Sequence, residues 1–124
     1  MTIPKAFFFL GAFFAMLSVI LGAFGAHALK QKISPEMLSV FEVGVRYQMY
    51  HALGLILLAL AMLQFPGYAL EIAGGLFIAG MILFSGSLYI LALSGNKMWG
   101  AVTPIGGFIW IVAWLFVCYV SFKS

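Results

Sequence analysis

The chain is short of charge before it is rich in anything. Only 7% of its 124 residues are charged, against roughly a quarter in an ordinary soluble domain. A water-soluble globule is excluded. One cysteine, Cys118, has no partner for an intrachain disulfide, and within the last apolar run it reads as a small apolar filler. The six Lys and Arg residues stand singly against three acids, for a formal charge of +3. Scattered in this way they make no nucleic-acid footprint, which needs basic residues gathered on one face. The marks of an enzyme are missing as well: the sequence holds no nucleophile elbow, phosphate-binding loop, zinc motif or paired intramembrane carboxylates. No acid follows Glu42 in the second apolar run, where a proton pump would need one.

What remains is apolar. Hydrophobic types make up 65% of the chain, and they fall into runs at about 6–26, 47–64, 69–93 and 104–122. A helix crosses the hydrocarbon core with about 20 such residues. The fold expected is therefore all-α: a single domain, 1–124, formed by a bundle of four transmembrane helices. Lys5, the apolar stretch after it and "AHA" at 26–28 imitate a secretory signal. The stretch exceeds the usual signal core of about 7 to 15 residues, so it is read as a span.

Small residues are spaced to let helices approach. Gly11, Ala15, Ser18, Gly22 and Gly25 lie along one line of span one, and Ala73, Gly80, Ser87 and Ser94 recur every seven residues in span three, reinforced by Gly75, Ala79 and Gly86. Lipid tails are as apolar as leucine, so helices in a bilayer associate by close backbone contact at such positions. The expectation is that spans one and three pack on each other or on copies of themselves.

The long polar connection contains "SPE" at 34–36, in which Ser34 caps, Pro35 fits the first helical position and Glu36 faces the positive end of the dipole. With no breaker before Pro66, one helix is expected from Pro35 to about Phe65, extending beyond the bilayer. Pro66 and Gly67 make a tight turn, and Thr103 and Pro104 begin span four. This arrangement gathers "GAHALKQK", "RYQMYH" and "SGNKMWG" at one face of the membrane. That face carries Lys30, Lys32, Arg46 and Lys97, against Lys5 and Lys123 at the other, which assigns it to the cytoplasm.

The polar residues of that face are the candidate site: His27, Glu42, Arg46, Tyr47, Gln48, Tyr50, His51 and Thr103. Glu42, Arg46 and Tyr50 form one i, i+4 stripe, and Tyr47 and His51 form another about 100° away. Two readings stay open for Arg46: an interface anchor paired to Glu42, or part of an anion or headgroup site with Tyr50. His27 and His51 are weak candidates for ligating haem or a metal, with a structural histidine bonded to a backbone carbonyl as the plainer reading. Ser85 and Ser87 suit hydrogen bonds between helices. Trp110 and Trp114, four apart, suit packing or lipid contact.

The stretches "GAFGAHALK", "RYQMYHALGL", "FSGSLYILAL" and "GAVTPIGG" closely resemble the small bacterial membrane proteins of domain-of-unknown-function family four-twenty-three, which have mitochondrial relatives. The resemblance covers essentially the whole chain, with the four motifs in order. It implies an integral inner-membrane protein with four helices, and it implies no known activity. Three functions of different classes follow: an accessory, assembly or structural subunit, docking a larger complex or identical copies; a small transporter or channel for an ion or small solute; or a membrane protein binding haem, quinone or lipid.

Overall fold

The computed structural model describes residues 1–123. The chain runs up and down through four long helices: α1 (Ile3–Leu29), α2 (Pro35–Ala61), α3 (Ala69–Ser94) and α4 (Thr103–Lys123). No strand occurs among the described residues. The first three of these helices, and Lys97–Lys123 at the fourth, are each long and apolar enough to span a bilayer.

The helix ends follow local chemistry. Thr2 accepts from the Lys5 amide at the start of α1, and Ser34 accepts from the Met37 amide at the start of α2, each before a proline in the first turn. The second helix stops at Ala61, earlier than its sequence suggests. Leu63 and Gln64 donate three residues back, to Leu60 and Ala61, and this tightening unwinds the helix before Pro66 is reached. Gly67, at φ +107°, and Gly95, at φ +71°, take left-handed backbone that only glycine adopts cheaply. Gly95 thereby ends α3, and a short 3-10 turn, Lys97–Ala101, leads into α4.

The two middle helices form the centre. Their most apolar windows are 44% and 39% buried for α2 and α3, against 11% for α1 and 17% for the fourth span. The outer two therefore turn most of their surface to lipid. Leu55, Ala73, Phe77 and Ala113 are fully or almost fully enclosed in the main core.

The line of small residues on α1 packs against α2 rather than α3, which corrects the pairing expected from sequence. A methyl on Gly11 would meet the Ala52 carbonyl oxygen at 2.8 Å, one on Gly22 would meet Val45 at 3.1 Å, and one on Gly25 would meet Phe41 at 3.4 Å. The short connection between α1 and α2 makes them antiparallel neighbours. Contact between α1 and α3 occurs at Gly74, whose face is covered by the Phe7 ring.

The line on α3 divides among different partners. Gly80 lies under the Trp110 indole of α4, so closely that a methyl there would overlap the ring, and Ser87 faces Thr103. Gly75 and Gly86 have nothing within 4 Å of an added methyl. Ser94 is exposed and folds back on the Ile90 carbonyl. From α4, Gly106 reaches the backbone of Phe84 itself: a methyl on Gly106 would stand 2.5 Å from the Phe84 amide nitrogen. Two π-helical stretches, Leu21–Gly25 in α1 and Met81–Ser85 in α3, interrupt otherwise regular spans.

Candidate functional site

The stretch "RYQMYH" divides by helical phase into an inner and an outer set. Gln48 and His51 are buried, whereas Arg46, Tyr47 and Tyr50 are exposed. The inner pair builds two separate hydrogen-bonded groups.

Gln48 ties three helices together. Its Nε2 donates to the Phe14 carbonyl of α1 at 3.0 Å, and its Oε1 accepts from the Tyr89 hydroxyl of α3 at 2.6 Å. Ser18 donates to the same Phe14 carbonyl at 2.9 Å. This is why a serine fits the tight α1 seam. Nearby, Ser85 donates to the Gly44 carbonyl at 2.6 Å, and the Tyr89 ring covers Gly44 where a side chain would collide with it.

His51 faces α3 and α4. Its ring lies flat on Trp110, with centroids 3.7 Å apart and planes 3° from parallel. Trp114 donates its indole N–H to Nε2 at 3.1 Å, and an indole can only donate. Nε2 is therefore the unprotonated nitrogen, and Nδ1 carries the proton it donates to the Tyr47 carbonyl at 2.9 Å. Trp110 in turn donates to the Phe77 carbonyl at 3.0 Å. Phe77 completes the cluster edge-on to His51, at 5.3 Å between centroids.

Both imidazole nitrogens of His51 are thus engaged, and neither is free to ligate haem iron or a metal. His27 is exposed near the end of α1, the helix that packs on the Gln48 side of α2, and the two histidines do not form a common site. Among the described residues no group of three or more His, Cys, Asp or Glu side chains is placed to hold a metal ion.

The outer stripe is looser than its spacing suggests. Glu42, Arg46 and Tyr50 are all exposed, and among the described residues Arg46 and Glu42 close no ion pair. Tyr47 stands against Tyr50 at 5.4 Å and against Phe84 at 5.1 Å. Thr103 does not join the "RYQMYH" turn. It meets Ser87 at 2.6 Å, and Ser87 also bonds the Phe84 carbonyl. Every fully buried side-chain nitrogen or oxygen among the described residues has a hydrogen-bond partner.

Two participants escape a reading of the sequence alone. Tyr89 is one aromatic among many in an apolar run, and only the crossing of α2 and α3 aims its hydroxyl at Gln48. Trp114 was legible as an aromatic four residues from Trp110, but its role as the donor to His51 has no signature in spacing.

Comparison with known proteins matches residues 21–107 to a family model described as "Protein of unknown function (DUF423)". The chain is 46% identical over 120 residues to the UPF0382 membrane protein YwdK of Bacillus subtilis strain 168, covering 96% of this chain and 98% of that one. It is 48% identical over 120 residues, with the same coverages, to a UPF0382 membrane protein of Staphylococcus saprophyticus. A Staphylococcus haemolyticus relative of the same name is 47% identical over 119 residues, covering 96% and 97%. No solved structure matches.

Proposed function

The chain belongs to the DUF423 family of membrane proteins, and on that premise we propose that it is an accessory or structural subunit of the bacterial cytoplasmic membrane, acting through its surfaces. The observation that carries this reading is the closed state of its interior. Gln48, His51, Ser85, Ser87, Trp110 and Tyr89 all direct their polar atoms at partners within the chain. A path for an ion or hydrophilic solute needs polar groups that replace its hydration shell. Here those groups are already consumed in holding helices together, so what is left to act is the outer surface.

The cytoplasmic membrane is supported by architecture, since proteins of outer membranes close β-barrels whereas this chain forms apolar helices. The excess of cations at the α1–α2 and α3–α4 connections supports placing those connections on the cytoplasmic side.

Native mass spectrometry of protein extracted gently from its own membrane tests this function. The expected result is a defined assembly heavier than the 13.5 kDa chain. A lone chain, together with solute or ion flux into proteoliposomes that empty vesicles lack, overturns it.

A further inference from the structure

Between α2 and α4 a groove of about 580 Å³ opens sideways toward the bilayer, within the size range of ligand sites. Tyr47, His51, Phe84, Trp110 and Trp114 are among its walls. The ring nitrogens of His51, Trp110 and Trp114 are all engaged within the protein. Such walls recognise an apolar chain by shape and offer little to a polar head.

A charge stands beside this groove on the same helix. Arg46, Tyr50, Leu53 and Leu57 follow one another at helical spacing, and all four are exposed, so Arg46 belongs to the lipid-facing stripe of α2. Tyr50 links the stripe to the groove, its ring in contact with that of Tyr47. No acid pairs with Arg46 among the described residues. A guanidinium on a lipid-facing stripe lays its stem along the apolar surface and extends its head toward the phosphates.

We propose that this groove and Arg46 together bind one anionic phospholipid, with an acyl chain between α2 and α4 and the phosphate on the guanidinium. Charge complementarity selects the lipid class. The apolar walls hold the chain. This site is independent of the subunit reading above, since a lipid can bind whether or not the protein docks a partner.

The test uses the full chain carrying Trp99→Phe, so that both remaining indoles line the groove. It is reconstituted in phosphatidylcholine vesicles containing either phosphatidylglycerol or phosphatidylcholine brominated on the acyl chain, and bromine quenching of tryptophan is measured. Brominated phosphatidylglycerol is expected to reach half-maximal quenching at about fivefold lower mole fraction, the factor that one cation near an anionic surface contributes. Arg46→Gln should bring the two lipids to the same mole fraction. Equal quenching in the Arg46 protein, or a preference that survives Arg46→Gln, overturns the proposal. Gly107→Leu places a side chain in the groove from a position where a methyl makes ordinary contact with Phe84 at 3.7 Å. It should weaken quenching by both lipids, and unchanged quenching overturns the groove as the seat of the chain. If that variant fails to fold, the Arg46→Gln comparison decides alone.

Discussion

Gly106→Ala places a single methyl between two helix backbones. The new carbon would stand 2.5 Å from the Phe84 amide nitrogen and 2.9 Å from its Cα, whereas ordinary contact begins at 3.4 Å. A flexible side chain could swing away; a helix backbone cannot. The start of α4 must therefore retreat from α3 by most of an ångström. Overpacking of this kind costs about 1–3 kcal/mol, occasionally more. The retreat also stretches the bond from Trp110 to the Phe77 carbonyl and the contact of Ser87 with Thr103, each worth roughly 0.6 kcal/mol between membrane helices. Alanine's helix preference over glycine returns roughly 0.5–1 kcal/mol of this, so the expected loss is about 1–4 kcal/mol. Gly86→Ala is the matched control, because a methyl there meets open space and an alanine in a helix interior is favoured over glycine by roughly 0.5–1 kcal/mol. Equilibrium unfolding in mixed micelles of mild detergent and dodecyl sulfate, followed by tryptophan emission, measures both variants. If Gly106→Ala unfolds at the same dodecyl sulfate fraction as the parent, or if the two variants shift together, the close crossing of α3 and α4 is wrong.

Other perturbations probe the interior separately. A double-mutant cycle on His51→Phe and Trp114→Phe should return a coupling of about 0.6 kcal/mol, with a ceiling near 1.7 kcal/mol, and zero coupling would remove the bond between them. Tyr89→Phe takes the donor from Gln48 and should lower stability by roughly 1–3 kcal/mol, whereas Tyr50→Phe, at an exposed position, should stay within about 0.5 kcal/mol in the same unfolding assay. Because His51 has no free nitrogen, any absorption band given by haem added to the purified protein should survive His51→Phe; a band lost on that change would contradict the bonding described.

The four spans and the start of α2 were legible in the sequence, because each depends on local quantities: apolar run length, a capping hydroxyl, a proline in the first turn. Small residues announced close approach at Gly11, Gly22 and Gly80 but not at Gly75 or Gly86, where an added methyl meets nothing within 4 Å. Their partners were not announced, because a small residue permits a neighbour to come near without naming it. The neighbour of Gly80 proved to be the Trp110 indole and that of Gly106 the Phe84 backbone. The end of α2 was missed because no breaker marks it; Leu63 and Gln64 donate three residues back instead of four. The π-helical stretches have no compositional mark.

The candidate site shows the same division most sharply. Composition alone determined that this protein lives in a bilayer, since a chain with 7% charged residues and four long apolar runs has no other stable environment. Spacing alone put Arg46 and Tyr50 on one stripe and Tyr47 and His51 on another. Only the tertiary structure decided which stripe faces what. Helix phase is relative until the bundle closes, and the crossings with α3 and α4 turned His51 onto Trp110 while leaving Arg46 exposed. A side chain's partners are thus a property of helix packing, which residue order along one span does not contain.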